Sequence, residues 1–197
     1  MSTLSFMREV IFANKSTGAF APSSKALAEM VTDSADLSKA NVIVEFGPGT
    51  GVFTEAIERK MNPNALFLAM EVNPEFVKAT RKRCSKVEVI EDSAQNTVKY
   101  LRERGHEKCD IIVSGLPWSR FSDKLQDEIL DATYDVLAPG GKFITFAYSS
   151  SPHLPSGKKF FHGKLPHRFP YVRRSKQIWK NFPPSVVFVA EKEAATP

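Results

Sequence analysis

Residues 42–51 form an apolar run that ends in three alternating glycines, and they read Val-Ile-Val-Glu-Phe-Gly-Pro-Gly-Thr-Gly. The apolar, β-branched part, which includes Glu45 near its end, is the pattern of a buried parallel strand. Glycine permits the positive φ angles of a tight turn and lets a ligand lie directly on the backbone. The stretch therefore predicts a strand, a ligand-binding turn and a helix that begins near Val52.

The glycine spacing and the acid before it indicate which ligand the turn binds. Gly47, Gly49 and Gly51 have the spacing G-x-G-x-G, whereas a dinucleotide fingerprint would need a further glycine where the chain has Val52. Glu45 lies at the carboxyl end of the strand, where its charge would repel a pyrophosphate and attract a sulfonium. The pattern therefore favours S-adenosylmethionine (SAM) over NAD.

Two later strands also end in acidic residues. The apolar run at residues 65–71 ends in Glu71, about 20 residues after Gly51, and an acid there can accept both ribose hydroxyls of an adenosine cofactor. Asp92 and Ser93 follow the next strand-like run. Asp92 is placed to accept a hydrogen bond from the adenine amine, or else to cap the following helix.

The chain continues this alternation of strands and helices. Strand-like runs at residues 42–45, 65–71, 87–91, 110–113 and 142–148 alternate with helical patterns, which predicts a parallel sheet with helices on both faces. A Pro-, His- and Lys-rich loop then leads to strand-like runs at residues 171–179 and 185–191. We expect residues 1–197 to form one α/β domain.

Composition and charge indicate in which compartment the protein works and what kind of partner it binds. Two cysteines are too few for a disulfide framework, and no apolar run approaches the roughly 18 residues of a membrane span, so we expect a cytoplasmic protein. Residues 151–180 hold eight Lys or Arg residues and no Asp or Glu, which predicts a polyanionic partner, either nucleic acid or an anionic lipid surface. Residues 2–17 have an amphipathic helical pattern that suits packing on the core or lying on a membrane.

The segment after the fourth strand reads Ser114-Gly115-Leu116-Pro117-Trp118 and is the candidate substrate site. The Ser114 hydroxyl can accept a hydrogen bond from an amine, and the Trp118 ring face can hold a methylated ammonium by cation–π attraction. The packing of Trp118 in the turn is the alternative. Candidate proton acceptors are Ser114, Tyr148 and His153.

These features resemble the class I SAM-dependent methyltransferases, a Rossmann-like fold with a mostly parallel seven-stranded sheet and a C-terminal antiparallel hairpin. More closely, residues 17–24, 45–54, 113–117, 137–141 and 179–184 resemble the soluble bacterial phospholipid N-methyltransferases, which convert phosphatidylethanolamine towards phosphatidylcholine. The resemblance implies SAM as cofactor, S-adenosylhomocysteine as product and no metal.

The same resemblance implies a set of binding residues and a location. Phe20 and Ala21 would close over the SAM site, and residues 2–16, with the basic residues at 158–180, would dock on an anionic membrane at its cytoplasmic face. The SAM site itself would be lined by Glu45, Gly47, Gly49, Gly51, Glu71, Val72, Asp92, Ser93 and Ser114.

Two alternatives remain from the sequence. The rRNA adenine dimethylases share this core, but they carry Asn-Leu-Pro-Tyr or a relative where this chain has Ser114 and Trp118. They also carry a C-terminal helical domain for which we expect no room before Pro197. A module that binds SAM or lipid without turnover is the second alternative.

Overall fold

A computed structural model describes residues 24–195, which build a seven-stranded sheet. Its strands are β1 (Val42–Phe46), β2 (Leu66–Glu71), β3 (Glu88–Glu91), β4 (Cys109–Ser114), β5 (Leu137–Tyr148), β6 (Tyr171–Arg174) and β7 (Ser185–Glu191). The order is β3-β2-β1-β4-β5-β7-β6, with β1 to β5 parallel and β7 antiparallel to both β5 and β6. The predicted fold class is confirmed. The predicted N-terminal helix, Phe20 and Ala21 lie outside the described residues.

Helices cover both faces of this sheet. They are α1 (Lys25–Asp33), α2 (Val52–Lys60), α3 (Pro74–Arg83), α4 (Thr97–Arg102), α5 (Asp123–Val136), α6 (Pro155–Lys159) and α7 (Leu165–Arg168). Val44 packs into the core with α5, and its neighbour Ile43 packs into the core with α1 and α2. Strand β1 is therefore buried on both faces, which explains its unbroken apolar run. Within residues 24–195 no helix is long and apolar enough to cross a bilayer.

Residues 155–168 are helical, so the prediction of a loop after Tyr148 was wrong. A π-helical turn at Phe160–Lys164 joins α6 to α7. Phe161, Leu165 and Phe169 recur every four residues, so they share one helical face, and all three are buried. The Pro, His and Lys residues around them hid this spacing in the sequence. The first hairpin strand is also shorter than predicted and ends at Arg174.

One face of α5 neutralises part of the basic segment. Its acids Asp123, Asp127 and Asp131 are four residues apart and therefore lie on the same side of the helix. The ion pairs are Lys159–Asp123 and Lys164–Asp127, each with an N–O distance of 2.8 Å, and Arg168–Asp131. Three of the eight basic residues at 151–180 are thus matched within the protein. The free basic patch is smaller than the sequence indicated.

Candidate active site

The carboxyl ends of the parallel strands meet at one edge of the sheet. Phe46 pairs with Met70 of β2 and with Ser114 of β4, and Ser114 pairs with Thr145 of β5. Ligands of open α/β sheets bind at this edge. The register brings together there the predicted residues Glu45, Glu71, Val72, Asp92, Ser93 and Ser114.

The glycine turn, residues 47–51, has the backbone geometry that its spacing predicted. Gly47, Gly49 and Gly51 have φ angles of 68°, 59° and 80°, a region that other residues rarely adopt. A Cβ atom at Gly47 would lie 3.0 Å from Leu116 Cδ2, whereas a Cβ atom at Gly49 would meet nothing within 4 Å. Gly47 is therefore packed against the turn after β4, and Gly49 borders open space.

Glu71 ties the glycine turn to the tip of β2. Its Oε2 accepts a hydrogen bond from the Gly49 N–H at 3.2 Å, and its Oε1 accepts one from the Asn73 N–H at 2.9 Å. Burial raises the pKa of this carboxyl, and the backbone donors act against the shift. A carboxylate has about four acceptor positions, so Glu71 retains capacity for a ligand hydroxyl.

Glu45 is fully buried and has one oxygen without a partner. Its Oε2 accepts a hydrogen bond from the Thr54 hydroxyl at 2.7 Å, and its Oε1 has no hydrogen-bond partner among the described residues. Burial raises the pKa of Glu45 to about 8, and the nearby Glu71 adds to the rise. A buried oxygen without a donor is costly. This position is therefore suited to a ligand that brings a donor or a positive charge.

Asp92 at the tip of β3 is held in place by its own neighbours. Its carboxylate accepts hydrogen bonds from the Tyr100 hydroxyl at 2.7 Å, the Asn96 amide at 2.9 Å and the Ser93 N–H at 2.7 Å. Partial burial opposes ionisation, but these donors outweigh it and lower the pKa of Asp92. Ser93, and not Asp92, caps the next turn by accepting from Gln95 N–H. Asp92 therefore stays a charged acceptor beside the cofactor edge.

Trp118 differs from the expectation that its ring face holds a substrate cation. Its side chain is 1 % exposed, and its ring stacks on Phe160 with centroids 4.2 Å apart and planes 11° apart. The indole N–H donates to the Ser114 hydroxyl at 3.2 Å, and the Leu116 N–H donates to the same oxygen at 3.3 Å. The correction is that Trp118 packs the turn after β4. The Ser114 hydroxyl is used inside that turn rather than presented to an amine.

A pocket of about 180 Å³ lies between this turn and the end of β5. Of the candidate proton acceptors, Tyr148 lines this pocket, whereas His153 is exposed and does not line it. The buried Trp118 also lines it, and other lining residues include Gly115, Arg120, Phe146, Ser151, Leu154 and Phe161. Because a Cβ atom at Gly115 would lie 2.6 Å from Gly47 O, the pocket wall and the glycine turn are in backbone contact. A substrate in this pocket would adjoin the glycine turn.

Thr54, Tyr100 and Arg120 contribute to the site and were not predicted. Tyr100 follows Asp92 by eight residues and Asn96 by four, a spacing that places it on the side of α4 that meets Asp92. No local pattern indicated Thr54 or Arg120, because their contacts depend on how α2 and the turn after β4 pack. Residues 24–195 contain no group of His, Cys, Asp or Glu side chains that could hold a metal ion.

The chain is similar in sequence to known methyltransferases. A family model described as a methyltransferase domain matches residues 43–141. The ornithine lipid N-methyltransferase of Singulisphaera acidiphila is 33% identical over 126 residues, which make up 62% of this chain and 66% of that protein. Human methyltransferase HEMK2 is 33% identical over 86 residues, 43% of this chain and 40% of that protein. This chain thus spans less than two thirds of the length of either relative.

Solved structures show the same architecture. The O-methyltransferase from Bacillus cereus in complex with S-adenosylhomocysteine aligns with a TM-score of 0.68 at 16% identity, over 95% of this chain and 91% of that chain. At this level of identity the likeness establishes the fold.

Proposed function

The chain belongs to the methyltransferase-domain family, and from this premise we propose that it methylates the amine of phosphatidylethanolamine, stepwise towards phosphatidylcholine. Its cofactor is S-adenosylmethionine, as predicted from the sequence. The substrate proposal is supported by the pocket beside the glycine turn, which Arg120 and Tyr148 line. The likeness to a protein named as a lipid N-methyltransferase supports an amine-bearing lipid as acceptor.

The described residues fit this cofactor. The open space at Gly49 lets a ligand lie on the turn, and the unpartnered Oε1 of Glu45 suits the positive end of the molecule. Glu71 and Asp92, at the tips of adjacent strands, would accept from the ribose hydroxyls and the adenine amine. When bound, SAM supplies a methyl group made electrophilic by its sulfonium charge.

The pocket suits an amine attached to an anionic group. Arg120 is exposed at the pocket and forms no ion pair with another described residue, so its guanidinium is available for a phosphodiester or a carboxylate. Phe146, Leu154 and Phe161 provide apolar walls. In an ethanolamine head group the amine is close to the phosphodiester, so we propose that Arg120 binds the phosphodiester while the amine lies near Tyr148.

Methyl transfer requires that the protein align the amine with the methyl group of SAM and that the amine have a free lone pair. Burial raises the pKa of Tyr148, and the Arg120 charge acts against that shift. The phenol therefore stays neutral near pH 7, and its oxygen holds the amine by a hydrogen bond. Of the predicted residues, we assign the acceptor contact to Tyr148 and the positioning of the turn to Ser114 and Trp118. The exposed mouth allows water to take up the ammonium proton.

A lipid acceptor requires docking on a membrane, which we propose occurs at the cytoplasmic face. The proposed contacts are residues 2–16 and those basic residues of 158–180 that α5 leaves free. Among the described residues, no ion-pair partner is found for Lys158, Arg173, Arg174, Lys176 and Lys180. Such charges attract an anionic lipid surface.

Methyl transfer from radiolabelled SAM to three separate acceptors tests the proposal. The acceptors are phosphatidylglycerol vesicles with phosphatidylethanolamine, matched vesicles with ornithine lipid instead, and undermethylated small-subunit rRNA. We expect label in phosphatidylethanolamine, and much less of it with the Glu71→Gln variant at a limiting SAM concentration. Label only in ornithine lipid would overturn the head group, and label only in RNA would make the protein an rRNA methyltransferase. No label in any acceptor would indicate a binding module without turnover.

A further inference from the structure

Two aromatic side chains project from the turn between β6 and β7. Trp179 is 74% exposed and Phe182 is 86% exposed, more than any other large apolar side chain among the described residues. Large exposed aromatic residues that lie close together are typical of contact surfaces for proteins or membranes. We call residues 179–182 the aromatic turn.

The aromatic turn is held rigidly, although its aromatic side chains are exposed. The buried Asn181 lies between them, and its Oδ1 accepts a hydrogen bond from the Ser24 N–H at 2.9 Å. Its Nδ2 donates to Pro183 O at 2.8 Å and to Ser185 Oγ at 2.9 Å. Ile178, just before the turn, is buried and bridges to Ser185. These contacts hold the backbone of the turn from which the Trp179 and Phe182 side chains extend into solvent.

The aromatic turn lies at the pocket end of the sheet. Ser149 donates from both its N–H and its hydroxyl to Pro184 O, at 2.8 Å and 3.0 Å. Ser149 directly follows Tyr148, which lines the pocket, and Tyr148 pairs with Ser185. A surface that received the aromatic turn would therefore face the same edge of the sheet as the pocket mouth.

The charges beside the aromatic turn favour an anionic surface. Lys176 and Lys180 are exposed, and neither forms an ion pair with another described residue. Lys159 and Lys164, in contrast, are matched by acids of α5. Aromatic side chains that lie next to unmatched lysines suit the head-group region of an anionic bilayer, where the ring meets the apolar boundary and lysine meets lipid phosphate.

We propose that the aromatic turn inserts into the head-group region of an anionic bilayer, with Trp179 and Phe182 entering the membrane and Lys176 and Lys180 contacting anionic lipids. The inference rests on the proposed function, which makes a membrane the substrate surface. It adds the anchoring residues and an orientation in which the pocket mouth faces the lipid.

The test uses tryptophan fluorescence, because the chain has two tryptophans and Trp118 is buried. The vesicles are a mixture of phosphatidylglycerol and a phosphatidylcholine with brominated acyl chains. The bromine atoms quench the fluorescence of only those tryptophans that enter the bilayer. We expect these vesicles to shift the wild-type emission to the blue and to quench it in part. In Trp179→Phe the remaining Trp118 emission should not be quenched, although the variant still sediments with vesicles.

A pair of double variants tests the charges. Lys176→Gln with Lys180→Gln should weaken vesicle partitioning by about 30-fold, because each lysine near an anionic surface contributes about fivefold and the two factors multiply. Lys159→Gln with Lys164→Gln removes the same charge from residues already paired with α5 and should change partitioning by less than about threefold. Equal losses in both double variants would overturn the assignment of the lysines.

Other occupants of the aromatic turn would give different results. Trp179 emission could already be shifted to the blue without vesicles and remain unquenched when vesicles are added. That result would mean that residues 1–23 or a second copy of the chain cover the aromatic turn, and it would overturn the proposal. If the protein methylates phosphatidylethanolamine dispersed in detergent but vesicles do not quench Trp179 fluorescence, the insertion of the aromatic turn is overturned and the proposed function stands. Quenching of Trp179 without methylation of any lipid would support the insertion and reject the proposed function.

Discussion

The Trp118 indole N–H donates to the Ser114 hydroxyl across 3.2 Å, and this hydrogen bond closes the turn that follows β4. The Trp118 carbonyl in turn accepts from the Gln126 side chain at 2.7 Å, which fixes the turn to α5. Because this turn forms one wall of the pocket and contacts the glycine turn, the bond helps to hold that wall beside the cofactor edge.

Trp118→Phe should therefore destabilise the protein. Phenylalanine retains a ring against Phe160, but it leaves the buried Ser114 hydroxyl without its indole donor and removes ring volume. We expect a loss of about 1–3 kcal/mol in the free energy of unfolding, measured by urea denaturation. Unchanged stability with a raised KM for the lipid would instead show that the indole contacts the substrate ammonium.

Glu71→Gln should weaken SAM binding by at least about tenfold, since hydrogen bonds to a charged group contribute about 1.5–3 kcal/mol. The amide also places a donor where Glu71 accepts from backbone N–H groups. Titration calorimetry measures the affinity, with the exposed Glu75→Gln as the matched control. Equal SAM affinity in both variants would contradict the cofactor site.

Glu45 should make the stability of the SAM-free protein fall as the pH rises. Its pKa is about 8 in the folded protein and 4.5 ordinarily, so between these values the folded state keeps a proton that the unfolded state has lost. Stability then decreases by up to about 1.4 kcal/mol per pH unit. Urea denaturation at pH 5, 6.5 and 8 should show a shallower decline for Glu45→Gln. Parallel curves for the two proteins would exclude this explanation.

Arg120→Gln should raise the KM for phosphatidylethanolamine in neutral detergent micelles by about tenfold and leave kcat within about twofold. The variant removes the guanidinium that we assign to the lipid phosphodiester, while Tyr148 and the cofactor edge are retained. The exposed Lys124→Gln removes an equal charge away from the pocket and should leave KM unchanged. If both variants behave alike, Arg120 has no role in head-group binding.

The cofactor edge could be predicted because it depends on local sequence. Gly47, Gly49 and Gly51 have the positive φ angles that their spacing requires, and Glu71 and Asp92 lie at strand tips where the apolar runs end. The parallel register then brings these tips together without further information. The acceptor side was less predictable, because the role of Trp118 depends on Phe160, which lies 42 residues away in a helix that the sequence did not reveal.

The sequence by itself determined the sheet, the glycine turn and the acids beside it, because hydrophobic periodicity and the conformational freedom of glycine act within a few residues. Only the tertiary structure decided which aromatic side chains are exposed to solvent and which lysines have an ion-pair partner. Packing buried Trp118 and left Trp179 exposed, and it matched Lys159 and Lys164 with α5 but not Lys176 or Lys180. Exposure and charge pairing depend on which elements meet in space, and residues far apart in the chain determine them.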